Sequence, residues 1–307
     1  MSCQFHQPKP YFALTLDPVH IGTGGARLGR VDLPILREPG TKLPKVPGTS
    51  LSGPARAYTA MQKGKYQCAG RGGDGGKNHC GQVNPACPVC IPFGFSKGSG
   101  YSMQGLAQFF DAHILFFPVA SMAGPVWVTS PMALENLGDT QEYKVSGEGF
   151  YPLGEQLRGK GRLNFGWLLI SEVSGKGTLD NLPEIPGTIR QRAVLVSDKF
   201  FSLVVNNNLE VRTSVSIDPS TGAAEETALF TYEAIPRGTL LRFEVTYLSG
   251  QTFMVGGQSI KGEGNTEIGT KWVKTQVEKG LSLFETLGIG GMNTRGMGRI
   301  RILNLEE

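Results

Sequence analysis

The sequence predicts an α+β fold, and three observations lead to that class. Segments rich in β-branched and aromatic residues, such as Tyr11–Leu16 and Thr239–Leu248, have the composition of strands. Two or three other segments, including Leu51–Gln62 and Glu267–Leu287, have helical patterns of apolar residues. Strands and helices do not alternate strictly along the chain, so a doubly wound parallel sheet is not expected.

Composition narrows the function without fixing it. The 307 residues include 43 glycines, about twice the usual share, without a collagen-like period. Glycine at this level indicates many loops and close approach of backbone to a ligand. The net charge of +4 and the pI near 8.7 allow nucleic-acid binding but do not require it, so any basic surface must be local.

The sequence contains no obvious export or membrane signal. No segment has the roughly 20 consecutive apolar residues that a membrane span needs, and the N-terminal residues lack the cleavage signature of a signal peptide. Five cysteines without an export signal indicate a reducing compartment rather than a disulfide framework. We therefore expect a cytoplasmic protein that does not contact a membrane.

A glycine-rich loop between a strand and a helix organises the N-terminal region. An apolar run ends at His20, the glycines follow over residues 22–29, and Asp32 lies in the loop beyond them. Three arginines flank this aspartate, namely Arg27, Arg30 and Arg37. A single carboxylate among arginines, opposite a phosphate-sized site, suggests phosphodiester chemistry.

The start of the next helix would supply that phosphate-sized site. A Pro-Gly-Thr-Ser sequence precedes the helical pattern, so Thr49 or Ser50 can cap the helix. Pro54 would fall in the first turn, where a missing amide is tolerated. The free amides and the positive dipole end of such a helix bind anions.

Residues 63–100 form an insertion of different composition. Its first part is too rich in glycine and too poor in apolar residues to fold alone. The insertion contains four cysteines, namely Cys68, Cys80, Cys87 and Cys90. His79 directly precedes the second of them. The last two form a good zinc knuckle, whereas the first pair is loosely spaced. We predict a structural zinc, because four thiolates would leave no open position for catalysis. The alternative is a set of free thiols, some of them buried.

The central elements are predicted from local pattern alone. Residues 106–119 suggest a short helix followed by a buried strand, 126–129 a strand, 131–137 a helix and 139–162 a loop. A strand is predicted at 163–170, and a strand followed by a helix at 190–204.

The C-terminal part is predicted to contain a hairpin, a helix and a second glycine loop. Two strand patterns, at 209–217 and 227–232, flank the turn residues Asp218–Gly222. The glycine loop at 288–298 leads into a final strand at 298–305. Neither this loop nor the one at 22–29 fits a nucleotide-binding fingerprint, because Asn293 and Arg27 occupy the position of the third glycine. A glycine-rich turn by itself is often only a turn.

Several segments resemble the RAMP superfamily, the repeat-associated backbone subunits of type III CRISPR effector complexes. The N-terminal motif is matched by HIGTG, VDLPILRE and LPKVPGTSLSG, within residues 20–53. DAHILFFPVAS and GPVWVTSP, within residues 111–131, are similar to the centre of the Cmr-type subunit. GIGGMNTRGMGR, at residues 288–299, resembles the C-terminal glycine-rich loop of the superfamily. The likeness extends over nearly the whole chain.

The resemblance implies an architecture. We expect a single domain over residues 1–307 with a ferredoxin-like, RRM-related core, the insertion at about 63–100 and a protruding hairpin at about 209–232. In the superfamily this hairpin, called the thumb, wedges the duplex of guide and target RNA.

The resemblance also implies site residues. A catalytic aspartate is expected in the loop of Asp32, although a loop aspartate without a family would more often cap a turn. His20 is either a nearby acid or base or a structural residue, and Glu226 or Glu233 is a candidate second carboxylate. The predicted RNA-binding residues are His20, Arg27, Lys45, Ser50, Arg56, Thr294, Arg295 and Arg299. For Lys45 and Arg56, which flank the start of the first helix, the alternative is a solvated basic face.

The predicted function is therefore that of a guide-RNA-binding backbone subunit. Copies would stack in a filament with other effector subunits, and each would cut bound single-stranded target RNA. Attack by the 2′-hydroxyl would be assisted by Mg²⁺ or another divalent ion, with Asp32 as general base or metal ligand. Two alternatives are a non-catalytic RNA-binding subunit and a stand-alone endonuclease that processes precursor guide RNA.

Overall fold

The computed structural model describes residues 6–24, 31–70, 79–96, 100–135, 137, 142–180, 182, 184–224 and 229–306. Its strands are β1 (His6–Thr15), β2 (Lys45–Val46), β3 (Ala107–Phe109), β4 (Ala112–Val119), β5 (Val126–Thr129), β6 (Lys144–Val145), β7 (Tyr151–Pro152), β8 (Arg162–Phe165), β9 (Leu168–Ser171), β10 (Gly175–Lys176), β11 (Ala193–Leu195), β12 (Glu210–Ser214), β13 (Phe230–Ala234), β14 (Leu240–Leu248), β15 (Met254–Val255), β16 (Gln258–Ser259) and β17 (Ile300–Ile302). Its helices are α1 (Gly48–Gln62), α2 (Cys90–Phe93), α3 (Pro131–Glu135), α4 (Gly187–Gln191), α5 (Asp198–Asn207), α6 (Thr270–Ser282) and α7 (Phe284–Leu287).

Nine of the described strands form a central mixed sheet. Seven follow the order β17-β1-β14-β4-β5-β11-β7, while β2 and β3 pair with β4 and β14. Among the described strands of this sheet, only β5 and β11 pair in parallel. Four separate two-stranded pairs complete the β structure of the described residues. The α+β class predicted from the sequence is confirmed to this extent: helices and strands are mixed around a central mixed sheet with several hairpins.

The main core lies between the sheet and the helices α1 and α6. Alternate residues of β14 face this layer, so that Phe243, Val245 and Tyr247 are buried. The two helices pack closely, because Gly280 lies against the backbone of Ala55 and leaves no room for a side chain. This layer gives the loops at the sheet ends a rigid support.

Two helix predictions are corrected by the structure. α1 begins at Gly48, three residues earlier than predicted, and Pro54 therefore lies inside the helix rather than in its first turn. The short helix predicted near residue 106 is wrong, because Ala107–Phe109 pairs with β14 as strand β3. A long-range pairing overrides the local pattern there.

Two predictions for the region before β11 are also corrected. The single strand predicted at 163–170 is the hairpin β8–β9, since Gly166 turns the chain with a φ of 61°. The segment 139–162, predicted as a loop, contains the short strands β6 and β7.

The hairpin predicted around residue 218 is confirmed in its position. β12 pairs with β13 in antiparallel register, and the Gly222 N–H donates to the Asp218 carbonyl in the turn. Residues 225–228 lie outside the described residues. The predicted strand at 239–248, the C-terminal helix and the last strand correspond to β14, α6–α7 and β17.

Of the helices that the structure describes, not one has both the length and the apolar character needed to cross a bilayer.

Candidate functional site

Asp32 lies at the base of the β12–β13 hairpin. Its carboxylate Oδ2 accepts a hydrogen bond from the Thr231 backbone N–H at 2.7 Å and one from the Thr231 hydroxyl at 2.8 Å. The side chain of Asp32 is exposed, and its Oδ1 has no hydrogen-bond partner among the described residues. The N–H and then the hydroxyl of Thr231 lower the pKa of Asp32, so the carboxylate is ionised at neutral pH.

The loop that carries Asp32 is fastened to β13 by backbone bonds and one ion pair. The carbonyl of Leu33 accepts a hydrogen bond from the Glu233 N–H, and the N–H of Leu33 donates one to the Thr231 carbonyl. Glu233 is buried and pairs with Arg37 at 2.9 Å. Glu233 also accepts from the Ile35 N–H at 3.3 Å. Arg37 and Glu233 therefore hold the loop, and Arg37 is not a free cation beside Asp32.

His20 is buried behind this surface. Its Nδ1 lies 2.6 Å from the carbonyl oxygen of Glu233, so Nδ1 carries the proton, because a carbonyl can only accept. Gly22 lies beside Nε2, and the ring makes an edge contact with Tyr232. The imidazole supports the site from inside rather than facing solvent.

The C-terminal glycine loop docks on His20, which forms an isolated β-bridge with Gly291 beyond the end of β1. The Gly291 N–H donates to the His20 carbonyl at 2.9 Å. Gly290 has a φ of 75°, and a side chain there would come within 2.5 Å of the same carbonyl oxygen. Gly298 has a φ of 93°, and a side chain there would come within 2.3 Å of the Ile289 carbonyl oxygen. These glycines are needed for a close approach between two segments far apart in sequence.

The glycine loop presents Arg295 above the base of the hairpin. The exposed guanidinium lies 5.7 Å from the centre of the Phe230 ring, a cation–π contact. Beneath it, Tyr232 and Met297 are buried together, with Leu33 packed against them. The Asp32 loop, the hairpin and the glycine loop thus meet in one surface.

The other two predicted RNA-binding residues of the glycine loop differ in whether a partner within the chain already binds them. Thr294 is exposed on the same one-turn 3₁₀ helix as Arg295. Arg299 donates from Nε and Nη2 to the two carboxylate oxygens of Asp17, and these bonds lower the pKa of Asp17. About half of the Arg299 side chain remains exposed, although its charge is partly neutralised.

The start of α1 is already occupied by a carboxylate of the chain. Pro47 is the N-cap residue and gives no side-chain cap, so the cap predicted at Thr49 or Ser50 is wrong. The Gly48 N–H donates instead to Asp111 Oδ1 at 2.9 Å. Ser50 is half-buried and its N–H donates to the Pro47 carbonyl. An external phosphate would compete with Asp111 for this position.

Lys45 is also neutralised within the chain. Its Nζ lies 2.8 Å from Asp111 and 2.9 Å from Glu38. The hydrogen bonds that Lys45 donates, first to Asp111 and then to Glu38, raise the pKa of Lys45. The ammonium group links strand β2 to the start of β4 and is not a free cation for RNA.

Arg56 lies on the side of α1 that faces the insertion. It donates to the carbonyl oxygens of Cys68 at 2.8 Å and Phe93 at 3.4 Å. Its third contact is with His79 Nε2 at 3.0 Å. The guanidinium therefore binds the cysteine-rich insertion, and its role in binding RNA stays a prediction from the sequence.

The four cysteines of the insertion form one cluster. Their sulfur atoms all lie within 4.8 Å of one another, and Cys68, Cys87 and Cys90 are buried. The Cys90 thiol and the N–H groups of Cys90 and Val89 lower the pKa of Cys87 to about 4, and burial raises the pKa of Cys80 to about 11. The cluster can hold a structural zinc. It is the only group of three or more potential metal ligands that the described residues bring together.

The residues that the sequence did not reveal are mostly partners of the predicted ones. Thr231, Asp111 and Phe230 each contact a predicted residue through the folded structure. Thr231 and Asp32 are separated by 199 positions, so no local signal could have linked them. Arg27 and Glu226 lie outside the described residues.

The geometry limits the chemistry of this surface. An ionised carboxylate with one oxygen fixed and the other free can accept a proton or bind a hard cation. The described residues place no second carboxylate with it in a metal-binding group. An exposed arginine on an aromatic ring is suited to a phosphate or a base. Together these groups fit a phosphodiester polymer better than a small molecule.

Comparisons with known proteins agree with this arrangement. The family model of the RAMP superfamily matches residues 13–301. The CRISPR system Cmr endoribonuclease Cmr4 of Pyrococcus furiosus is 24% identical over an alignment of 299 positions, and the match covers 84% of this chain and 94% of that protein.

Two solved structures share the fold. A chain of the type III-B Cmr-beta complex bound to cognate target RNA has a TM-score of 0.62 at 14% identity, covering 97% of this chain and 96% of that chain. Oligomeric Cmr4 from Pyrococcus furiosus has a TM-score of 0.58 at 19% identity, and the match covers 98% of this chain and 100% of that chain.

Proposed function

Because the chain belongs to the RAMP superfamily, we propose that it is a Cmr4-like backbone subunit of a type III-B CRISPR effector complex. It binds guide RNA in the cytoplasm and cuts the target RNA that pairs with the guide. One observation carries this proposal: the Asp32 loop, the β12–β13 hairpin and the glycine loop meet in a single surface with a free carboxylate oxygen and an exposed arginine.

Copies of the chain would assemble along the guide together with other effector subunits. The similarity to a Cmr4 solved as an oligomer supports self-assembly, and the similarity to a chain of a complex bound to target RNA supports the RNA ligand. Within each copy, the ferredoxin-like core is the part of the central sheet around β1 and β14. The whole chain is one domain, with residues 63–100 as an insertion.

The β12–β13 hairpin is the proposed thumb. Val215, Ile217 and Leu229 expose 43, 52 and 66% of their surface, which is unusual for such side chains unless something covers them. Apolar side chains of this kind can insert between stacked bases. The hairpin would wedge the duplex of guide and target next to Asp32.

The RNA-binding residues divide into two groups. Arg295 and Thr294 are exposed and face solvent, so we assign them direct contact with phosphate, with Arg299 contributing a weaker attraction. His20 acts from behind, by positioning the glycine loop. Lys45, Ser50 and Arg56 support neighbouring elements, and Arg27 remains a candidate by sequence alone.

The proposed reaction is transesterification within the target strand. The 2′-oxygen bonds to the adjacent phosphorus while the bond from phosphorus to the 5′-oxygen breaks, which leaves a cyclic phosphate. Asp32 Oδ1 takes the proton of the 2′-hydroxyl, and the departing 5′-oxygen takes up a proton. The ionised state of Asp32 is the one that a general base requires.

A divalent ion fits this surface only with help from the substrate. In this alternative role the one free carboxylate oxygen of Asp32 would be a ligand of the ion instead of the base, since Mg²⁺ is often bound by one or two carboxylates together with phosphates of the substrate. Such an ion would stabilise the negative charge that develops on the phosphate. The proposal that cleavage depends on a metal rests on this oxygen and on the resemblance.

We assign a structural zinc to the cysteine cluster. Three of the four cysteines are buried, and the described residues of the insertion contain only two short helical turns, Tyr66–Cys68 and Cys90–Phe93. The guanidinium of Arg56 lies close to the cluster and would offset part of the negative charge of four thiolates. The zinc would hold the insertion against α1.

The decisive experiment compares Asp32→Asn with the unaltered protein in the assembled complex. Assembly and target binding should be retained, because the altered side chain is exposed. Cleavage should fall by about 10²–10⁴, the usual effect of a positioned acid or base. Asp32→Ala should behave similarly. Near-normal cutting by the Asp32→Asn complex would refute a catalytic role and favour a non-catalytic subunit.

A further inference from the structure

Thr231 makes an unusually complete set of contacts with Asp32. Its N–H and its hydroxyl both donate to Asp32 Oδ2, at 2.7 and 2.8 Å. The hydroxyl oxygen also accepts from the Asp32 N–H, at 3.1 Å. One threonine therefore satisfies one carboxylate oxygen and the backbone donor of the same aspartate.

The fastening of the loop does not depend on that hydroxyl. The two backbone bonds of Leu33 to β13 hold the loop, as do the Arg37–Glu233 ion pair and the bond from Ile35 N to Glu233. Removal of the Thr231 hydroxyl would leave all of these in place. The loop therefore does not need the Thr231 hydroxyl to keep its conformation, and the hydrogen bonds of this hydroxyl are made with Asp32.

We propose that Thr231 is the positioning residue for the Asp32 carboxylate in the reaction. This inference rests on the proposed role of Asp32 as the catalytic base. The terminal torsion of an aspartate is broad, so a free carboxylate samples many orientations. Two donors on Oδ2 fix the plane of the group and leave Oδ1 to face the 2′-hydroxyl.

The same contacts couple the base to the thumb. Thr231 belongs to β13, directly opposite Thr213 of β12, and Leu229 lies two positions away on the same face. A target strand that engages this face touches the element to which Asp32 is bonded. The carboxylate therefore keeps its position relative to the hairpin, and hence relative to an RNA that the hairpin holds.

The test uses Thr231→Val in the assembled complex with guide and target RNA. Valine keeps the β-branched shape and the backbone N–H but removes the hydroxyl. Single-turnover cleavage should fall by about 10- to 100-fold, as expected for loss of a hydrogen bond to a charged group. Target affinity should not change. Thr231→Ser, which restores a hydroxyl, should recover most of the rate.

The pH profile separates positioning from a structural role. Hydrogen bonds from Thr231 lower the pKa of Asp32, so cleavage should persist at pH values where an ordinary carboxyl is protonated. Thr231→Val should raise that pKa and move the acid limb of the rate profile to higher pH. Thr213→Val is the matched control, since Thr213 lies opposite Thr231 on the hairpin and makes no hydrogen bond to Asp32 among the described residues. It should leave the pH of the acid limb unchanged, whatever its effect on target affinity.

The outcomes distinguish this inference from the proposed function. If Asp32→Asn abolishes cutting but Thr231→Val has a normal rate and acid limb, the positioning role is wrong and the catalytic role stands. Loss of target binding in Thr231→Val without rescue by serine would show a structural role and overturn the inference. Normal cutting by Asp32→Asn would overturn both.

Discussion

Loss of zinc from the cysteine cluster should have large and measurable effects. A tetrahedral zinc with zinc–sulfur bonds of about 2.3 Å separates its sulfurs by about 3.8 Å. Cys80 and Cys90 place their sulfurs 3.7 Å apart, and Cys68 and Cys87 place theirs 4.0 Å apart. All six separations are within 4.8 Å. The ion would therefore require only small movements of the side chains.

The perturbations are Cys90→Ser and treatment with a chelator. Cys90 is fully buried, so serine would put a weaker ligand into a closed site. At free zinc 100 times its dissociation constant, the ion adds about 2.7 kcal/mol to the free energy of unfolding. For a chain of 307 residues that corresponds to roughly 4 °C in melting temperature.

The assay is elemental analysis combined with thermal unfolding. Protein purified without added metal should contain about one zinc per chain, and Cys90→Ser should contain far less. Replacement by Co²⁺ should give the absorption bands of thiolate coordination. Cys3→Ser is the matched control, because the fifth cysteine of the sequence is not one of the four. A folded, assembling protein with a zinc content near zero would refute the reasoning.

The remaining predictions concern the RNA surface and its support. Arg295→Ala should reduce the slope of the logarithm of the RNA-binding constant against the logarithm of salt concentration by roughly one unit. Arg299→Ala should reduce this slope by less, because its guanidinium is paired with Asp17. Measurement of binding at several salt concentrations gives both slopes, and a larger effect for Arg299→Ala would contradict the assignment. Gly290→Ala should lower the melting temperature more than Gly296→Ala. Both residues have a positive φ, but only a side chain at Gly290 would clash with the backbone of His20. Equal effects would argue against close docking of the glycine loop on His20. Arg56→Ala should reduce zinc content and stability without changing RNA affinity, and a loss of affinity alone would identify it as an RNA ligand after all.

The strands of the central sheet were predictable where their side chains alternate. From Leu241 to Leu248 buried and half-buried positions alternate strictly, and this pattern is visible in the sequence. Ala107–Phe109 has no such pattern, and it forms a strand only because β14 offers a free edge. Local propensity cannot show a partner more than 100 residues away.

The candidate site was predictable in its motifs but not in its contacts. Asp32 and the glycine loop were identified by resemblance, whereas the charges around them could not be assigned to partners. Lys45 looked like a cation for RNA because no local pattern links it to its partners: Asp111 is far along the chain, and Glu38 lies across a turn. Arg56 looked similar, yet its donors are used by the insertion. A count of positive residues overestimates an RNA surface when folding neutralises some of them.

The position of β1 has a consequence for how the protein is made. This strand lies between β14 and β17, so both of its neighbours come from the last quarter of the chain. Translation from Leu14 to its partner Leu240 takes roughly 10–45 s at about 5–20 residues per second. Throughout that interval the first strand emerges from the ribosome with both edges unpaired, a state that promotes aggregation. Yield should therefore depend on chaperones and on the rate of synthesis, and a chain cut before β14 should leave its first strand without a sheet to join.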